Sequence, residues 1–255
     1  MSDLACYLIN LDRSTERLKQ ASSEAQRLQL SFERISAVDG RYLELDACAE
    51  YSNARTLTYF GRELSVGEVA CFLSHVKTLR QFLQSDAKYA LVLEDDFVVS
   101  ETGQPVWDSL IAQLDEKHLG GWGYIDVGAP PHKLYSPVLP LVGDGNWLVR
   151  SHYFSFGTHA LLWSRSGAER LLQSCLPIEA PYDIFLRGWN AQMDVGYAMF
   201  EPPFSVSGMD SDIEAITNRA FPQRRWSQIR RRIVEKPMVY RNMASFRVQK
   251  LLANR

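Results

Sequence analysis

Three consecutive acids, Glu94, Asp95 and Asp96, follow the wholly apolar segment Tyr89–Leu93. Adjacent carboxylates repel one another, so the cluster is easiest to explain if a cation shares it. Carboxylate oxygens suit hard divalent cations such as Mg²⁺ or Mn²⁺, which in turn bridge phosphate oxygens and neutralise a diphosphate leaving group. The sequence therefore indicates a metal and phosphate site here, with a solvated acidic turn as the alternative.

Three further residues have types that suit a site of this kind. Asp39 follows a predicted strand and would reach the same edge of a sheet, although an Asp-Gly turn is the simpler explanation of it alone. His75 lies at the edge of an apolar helix face, where a buried core histidine is the commoner case. Asp183 has apolar neighbours after Pro181, so it either caps a helix or sits in a partly dry pocket. A dry pocket raises the pKa of a carboxyl group and suits a general base.

Alternating strands and helices must position these side chains. Strands are predicted at Ala5–Ile9 with its end at Asn10, Phe32–Ala37, Tyr89–Leu93, Tyr124–Val127, Phe156–Trp163 and Gly196–Glu201. Helices are predicted from an N-cap at Asp12 to Leu28, from the capping box Ser65–Glu68 for about five turns, and over Gly167–Ser174. Residues 41–62 have no clear pattern, and the Gly/Pro-rich stretch 128–147 is interpreted as a long functional loop. The order predicts an α/β fold with a mostly parallel central sheet and helices on both faces, with ligands at the carboxyl ends of the strands.

The composition is that of a globular protein. The chain has 255 residues, of which 46% are hydrophobic and 23% charged, and four dispersed cysteines without a CxxC pair. We expect buried reduced thiols, no structural zinc site, and a soluble, unexported protein, since no segment reaches about 18 apolar residues. The sequence contains no GxGxxG, GxxxxGK[ST], HExxH or GxSxG. It therefore lacks the usual signatures of dinucleotide binding, P-loop hydrolysis, zinc peptidases and serine hydrolases.

Five ordered blocks carry a family resemblance. They are Tyr7–Leu18, Phe32–Gly40, Leu64–His75, Ala90–Asp96 and Gly157–Leu172, followed by the acid Asp183. Together they resemble the family 25 glycosyltransferases, which include bacterial lipooligosaccharide glycosyltransferases and collagen galactosyltransferase domains. The resemblance implies a GT-A-type nucleotide-sugar-binding fold and an inverting transfer of a hexose, commonly galactose from UDP-galactose, to a saccharide acceptor.

The resemblance also implies roles for individual residues and a Mn²⁺ or Mg²⁺ cofactor. Asp96 would hold the metal, Asp95 would contact the ribose and Glu94 would support both. The nucleotide pocket would be shaped by Asn10, Arg13, Arg17 and Asp39, and the donor side would be lined by Ser74 and His75. Inversion needs a carboxylate to deprotonate the acceptor hydroxyl, for which Asp183 is the first choice and Asp126 the second. The alternative is an inactive saccharide-binding or assembly protein on a transferase scaffold, which the intact acids disfavour.

Charge is distributed unevenly along the chain. Residues 219–255 contain eleven Lys or Arg against the single acid Glu235, a net charge of +10, and the remainder carries −12. We predict a catalytic domain at 1–218 and a basic helical tail at 219–255 that Pro237 divides in two. Apolar anchors would be Trp226, Ile229, Ile233, Val248, Leu251 and Leu252. The tail is predicted to bind an anionic membrane, on its cytoplasmic face, near a lipid-linked acceptor. A helix that covers the core is the alternative, and a nucleic-acid partner is not expected because no aromatic platform accompanies the charge.

Overall fold

The computed structural model describes residues 3–114, 119, 121–154, 157–208 and 225–253, the last range with side chains at 233–252. The strands are β1 (Leu4–Asn10), β2 (Glu33–Ser36), β3 (Tyr89–Glu94), β4 (Phe97–Val99), β5 (Tyr124–Asp126), β6 (Tyr135–Pro140), β7 (Trp147–Ser151), β8 (Ala160–Ser164), β9 (Gly196–Met199) and β10 (Phe204–Val206). The helices are α1 (Thr15–Arg27), α2 (Asn53–Tyr59), α3 (Val66–Gln84), α4 (Gly103–Gln113), α5 (Arg165–Leu172), α6 (Tyr182–Met193) and α7 (Arg225–Ala253).

Eight strands form one mixed sheet in the order β2-β1-β3-β8-β5-β9-β7-β6. Strand β1 pairs in parallel with β2 and β3, and β5 pairs in parallel with β9. Only β8 and β7 run against the other six strands, since each pairs antiparallel with both of its neighbours. The predicted mostly parallel sheet is therefore confirmed, and β4 and β10 form a separate antiparallel pair.

Helices cover both faces of this sheet, as predicted. Alternate residues of a strand point to opposite faces, so β1 contributes Tyr7 and Ile9 to one hydrophobic cluster and Cys6 and Leu8 to the other. The first cluster is completed by α3, α5 and α6, and the second by α1 and α4. Burying both faces of the sheet explains why β3 is apolar along its length.

Most predicted elements are present, with shifted ends and three corrections, the third of which concerns α7. The N-cap of α1 is Ser14 and not Asp12. The stretch 128–147 is not a loop, because it contains β6 and begins β7. Strand β6 lies at the edge of the sheet, where Pro137 and Pro140 are tolerated, and its register shifts after Pro137. Strand β8 begins at Ala160, four residues after the predicted start at Phe156, which lies outside the described residues.

The predicted break at Pro237 is wrong, because α7 continues through it. Proline removes one backbone hydrogen bond, and the packing of the helix onto the domain holds the flanking turns. Val239 is fully buried, Asn242 Nδ2 donates to the carbonyl of Ala191 at 2.9 Å, and Tyr59 donates to Glu235 at 3.3 Å. Of the predicted anchors, Ile233, Val248, Leu251 and Leu252 are exposed, and the side chains of Trp226 and Ile229 lie outside the described part.

Among the described helices, none combines the length and apolarity needed to cross a membrane.

Candidate active site

An open cleft lies where β1 and β3 end and the chain leaves β2. Parallel pairing sets Ile9 of β1 opposite Glu94 of β3, so the polar residues after both strands meet at one edge. Counted out to its mouth, the cleft contains about 680 Å³ of empty space. It is lined by every residue predicted to bind donor or metal, namely Asn10, Arg13, Arg17, Asp39, Ser74, His75, Glu94, Asp95 and Asp96.

Asp95 is held from two sides. Asn10 Nδ2 donates to its Oδ2 at 2.6 Å, and Arg17 Nη2 lies 2.6 Å from its Oδ1. Arg34 fixes Asn10 in turn, because its Nε donates to Asn10 Oδ1 at 2.9 Å. The carboxylate of Asp95 is thus oriented and charge-compensated before any ligand arrives.

Asp96 is less well satisfied than Asp95. Arg17 lies 3.4 Å from its Oδ2, while its Oδ1 is buried and has no hydrogen-bond partner among the described residues. Burial and the neighbouring charge of Glu94 raise the pKa of Asp96 to about 6, against the lowering effect of Arg17. A hard divalent cation would satisfy this oxygen and relieve the repulsion, so the residues present fit Mn²⁺ or Mg²⁺.

Glu94 has partners of a different kind. Its Oε1 lies 3.0 Å from His75 Nε2 and accepts a bond from Thr158 Oγ1 at 2.6 Å. Burial raises the pKa of this carboxyl, but the bonds from His75 and Thr158 outweigh it and bring the pKa to about 2. Because an ionised carboxylate only accepts, Nε2 of His75 carries a proton. His75 is therefore both a buried histidine, as its spacing suggested, and a residue of the cleft.

A second group of possible metal ligands includes His75 and Glu94. Donor atoms of Cys71, His75 and Glu94 lie within 4.8 Å of one another. Burial and the charges of Glu94, Asp183 and Asp96 raise the pKa of the Cys71 thiol well above its usual value, so it is protonated. A thiol and an imidazole suit zinc, whereas the oxygens of Asp96 suit Mn²⁺ or Mg²⁺.

Asp39 is paired with two arginines at the rim of the cleft. Asp39 caps a short 3₁₀ turn, and its carboxylate pairs with Arg41 at 2.7 Å and with Arg13. These partners, Arg41 above all, hold the pKa of Asp39 far below its usual range. Ser74 Oγ accepts a bond from the backbone nitrogen of Val38 at 2.9 Å, which joins α3 to this rim. The predicted role of Asp39 as a ligand contact is therefore accompanied by a role in positioning Arg13.

Asp183 is half-buried in the first turn of α6, after an N-cap at Pro181, and does not line the cleft with the other nine. Asp183 nevertheless lies close to the cleft. Its charge acts on Cys71, and the ring of the adjacent residue, Tyr182, stacks on the ring of His75 with centres 4.2 Å apart. Burial raises the pKa of Asp183, while the bond that its Oδ1 accepts from the nitrogen of Ile184 opposes the shift. Such surroundings suit a general base, and the role of Asp183 stays a prediction.

The second candidate base, Asp126, ends β5 and is more deeply enclosed. Its Oδ1 accepts bonds from the nitrogens of Gly128 and Ala129 at 3.1 and 2.9 Å, and it is 2% exposed. Burial raises its pKa to about 8, so the group is largely protonated at neutral pH. Asp183 is the more accessible of the two carboxyl groups.

Sequence reasoning missed four participants, Arg34, Cys71, Thr158 and Tyr182. Cys71 could have been found, since it lies one helical turn before His75 on the same face of α3. The other three arrive from elements that are distant in sequence, and only the folded chain brings them together.

Residues 3–124 match the model of a family described as "Glycosyltransferase family 25 (LPS biosynthesis protein)". A "Glycosyltransferase 25 family member" of Aedes aegypti is 30% identical over 193 residues, which are 71% of this chain and 30% of that protein. "Procollagen galactosyltransferase 1-B" of Xenopus laevis is 29% identical over 178 residues, 66% of this chain and 28% of that protein. "Probable inactive glycosyltransferase 25 family member 3" of Bos taurus is 27% identical over 176 residues, with shares of 66% and 28%. The chain thus spans less than a third of the length of these relatives.

Proposed function

Because residues 3–124 belong to glycosyltransferase family 25, we propose that the chain is an inverting glycosyltransferase. It transfers a hexose, galactose, from a UDP-sugar to a lipid-linked saccharide of the lipooligosaccharide or lipopolysaccharide type. One observation carries the proposal: nine residues of four separate segments converge on a single cleft that holds both acids and arginines. A nucleoside diphosphate with a divalent cation matches that mixture of charges.

The cation, Mn²⁺ or Mg²⁺, would be held at Asp96, and when bound it would supply charge neutralisation for the diphosphate. Arg13 and Arg17 border the same space and can meet phosphate oxygens by charge-assisted hydrogen bonds. Asp95, already oriented by Asn10, is assigned to the ribose hydroxyls. Glu94 keeps its charge at neutral pH and positions the imidazole of His75 at the donor side.

Asp183 is assigned as the base that takes the proton of the attacking acceptor hydroxyl. Its partly dry position makes the carboxylate more basic than an exposed one, which favours proton removal near neutral pH. Holding donor and acceptor together in this corner supplies the remaining acceleration by proximity.

The galactose and lipopolysaccharide assignments rest on the names of the relatives and of the family. A peripheral position on the cytoplasmic face of an anionic membrane accompanies them. It is supported by exposed Val248, Leu251 and Leu252 on α7, beside Arg247 and Lys250.

A donor screen tests the function. Purified full-length protein is incubated with UDP-galactose, UDP-glucose and UDP-N-acetylglucosamine, Mn²⁺ and truncated lipooligosaccharide acceptors, and the products are identified by mass spectrometry. We expect a galactosylated product, and UDP release that rises when acceptor is added. The inactive-scaffold alternative predicts saccharide binding without UDP release from any donor, and that result would overturn the proposal.

A further inference from the structure

A cluster of cations and an aromatic ring adjoins Asp183, outside the donor cleft. Arg187 lies one turn after Asp183 on α6 and is 9% exposed. Its guanidinium carbon is 4.6 Å from the centre of the Tyr153 ring, and its Nη2 donates to the carbonyl of Phe154 at 3.4 Å. The guanidinium is thus fixed against the segment that follows β7.

The segment between β5 and β6 supplies two more basic side chains. The ring of His132 meets the Tyr153 ring edge to face at 5.4 Å, and both His132 and Lys133 are exposed. Burial and the charges of Arg187 and Lys133 lower the pKa of His132, which places the three groups within electrostatic reach of one another. Neither His132 nor Lys133 forms an ion pair with any carboxylate that the structure describes.

We propose that Arg187, His132, Lys133 and Tyr153 form the acceptor subsite, and that the acceptor sugar carries an anionic group, a phosphate or a carboxylate. The inference rests on the proposed function and names its substrate class. Side chains four residues apart on a helix lie about 5–6 Å apart. A sugar whose anion meets Arg187 therefore brings a neighbouring hydroxyl to Asp183.

The chemistry of the four groups fits such a ligand. An aromatic ring with a few fixed polar groups is a common lining for small-molecule sites, and a guanidinium binds carboxylate or phosphate with two parallel hydrogen bonds. None of the four residues lines the donor cleft. The acids of the donor cleft would repel an anionic acceptor, and the cations Arg187 and Lys133 offset that repulsion, while His132, whose pKa is lowered, offers a neutral imidazole.

Binding of small probes to the full-length protein tests the subsite without turnover. Glucose 6-phosphate, glucuronic acid, glucose and inorganic phosphate are titrated by ligand-observed NMR in the presence of saturating UDP and Mn²⁺. We expect one or both charged sugars to bind at least tenfold more tightly than glucose and inorganic phosphate. The two charged arms distinguish a phosphorylated acceptor from a uronic-acid acceptor.

Variants locate the binding. His132→Gln with Lys133→Gln changes only exposed side chains and should reduce the affinity for the charged sugar about tenfold, whereas Arg170→Gln, an exposed control on α5, should leave it unchanged. Equal binding of glucose and the charged sugars, or binding unaffected by the double variant, would each overturn the subsite. These experiments measure binding, whereas the proposed function is tested by sugar transfer. Failure of the subsite and failure of the proposed function are therefore distinguishable.

Discussion

At the scale of single residues, the acids of the cleft differ in their surroundings, and this separates their tasks. Asp95 is fixed by Asn10 and Arg17, Glu94 by His75 and Thr158, and Asp96 keeps a buried oxygen without a partner in the described chain. Because the three adjacent carboxylates have different partners, each can keep its own proposed role. These roles are the ribose contact for Asp95, support for Glu94 and metal binding for Asp96.

Replacement of Asp183 by asparagine tests the assignment of the base. We expect turnover to fall on the order of 10²-fold or more, because asparagine cannot accept the proton, with donor binding unchanged. In the unmodified protein the raised pKa of Asp183 predicts that activity declines on acidification at a higher pH than an ordinary carboxyl group would give. Steady-state kinetics against pH measures both effects, and near-normal turnover in Asp183→Asn would move the role to Asp126.

The raised pKa of Asp126 predicts that the stability of the protein depends on pH. The pKa of Asp126 is about 8 in the folded state, above its ordinary value of 3.8, so the folded state binds more protons between these two values. The contribution of Asp126 to the free energy of unfolding is fully present below about pH 4 and is lost as pH rises through 8. Asp126→Asn should therefore gain stability relative to the unmodified protein as pH rises from 5 to 8.

Thermal melts across this range measure that difference. Asp86→Asn, at an exposed position, is the matched control and should show no such trend. A constant difference in Tm between Asp126→Asn and the unmodified protein would mean that the Asp126 carboxyl is not held protonated by burial.

The types of residue in the site were predictable from sequence, but their partners were not. The acids at the end of β3 stand out because they follow an apolar run, and Asp39 stands out because it follows a predicted strand. The bond between Glu94 and Thr158, and the contact of Tyr182 with His75, join segments more than 60 residues apart. No local pattern encodes those contacts.

At the scale of elements, α3 positions the largest share of the donor side. Its capping box is complete: Glu68 N donates to Ser65 Oγ at 3.2 Å, and Ser65 N donates to Glu68 Oε2 at 2.9 Å. Glu68 also pairs with Arg62 at 2.6 Å, which ties the preceding loop to the helix start. The same helix then presents Cys71, Ser74 and His75 to the cleft.

Ser65→Ala removes the cap of this helix. We expect a loss of about 1 kcal/mol in the free energy of unfolding, and a decrease in Tm of about 2–4 °C for a domain of this size. Calorimetric melts measure it against Ser23→Ala, an exposed position on α1 that should change little. An unchanged Tm in Ser65→Ala would mean that the capping box does not stabilise α3.

Elements with a strong local signal were predicted, and those without one were not. The capping box identified α3, and uninterrupted apolar residues identified β3. The 3₁₀ turns and α2 within 41–62 are short, and edge strand β6 contains two prolines, so neither region has a clear periodicity. Pairing and packing, which are tertiary effects, decide their structure.

At the scale of the whole molecule, α7 has two different parts. Near Glu235 and Val239 it packs on α2 and α6, and Phe246 lies against Arg150 and His152. Beyond that contact Val248, Leu251 and Leu252 are exposed. The alternative in which the helix covers the core thus holds for its first part, and membrane binding by its exposed end stays a prediction.

Vesicle binding tests the exposed part. The full-length protein should sediment with vesicles that contain phosphatidylglycerol and dissociate as salt is raised, because screening weakens the attraction. Leu251→Ser with Leu252→Ser should reduce binding several-fold, while Leu57→Ser, an exposed leucine on α2, should not. Vesicle binding that is independent of lipid charge would contradict a membrane role for this helix, and so would unchanged binding by the double variant.

The most direct test of the account is whether UDP binds in the cleft together with a cation held by Asp96. Isothermal titration of UDP into the full-length protein is carried out with Mn²⁺, with EDTA, and in Asp96→Ala, with circular dichroism to verify the fold. We expect UDP to bind with Mn²⁺, and this binding to be lost in EDTA and in a folded Asp96→Ala protein. UDP binding that is unchanged by both EDTA and the substitution would contradict the account.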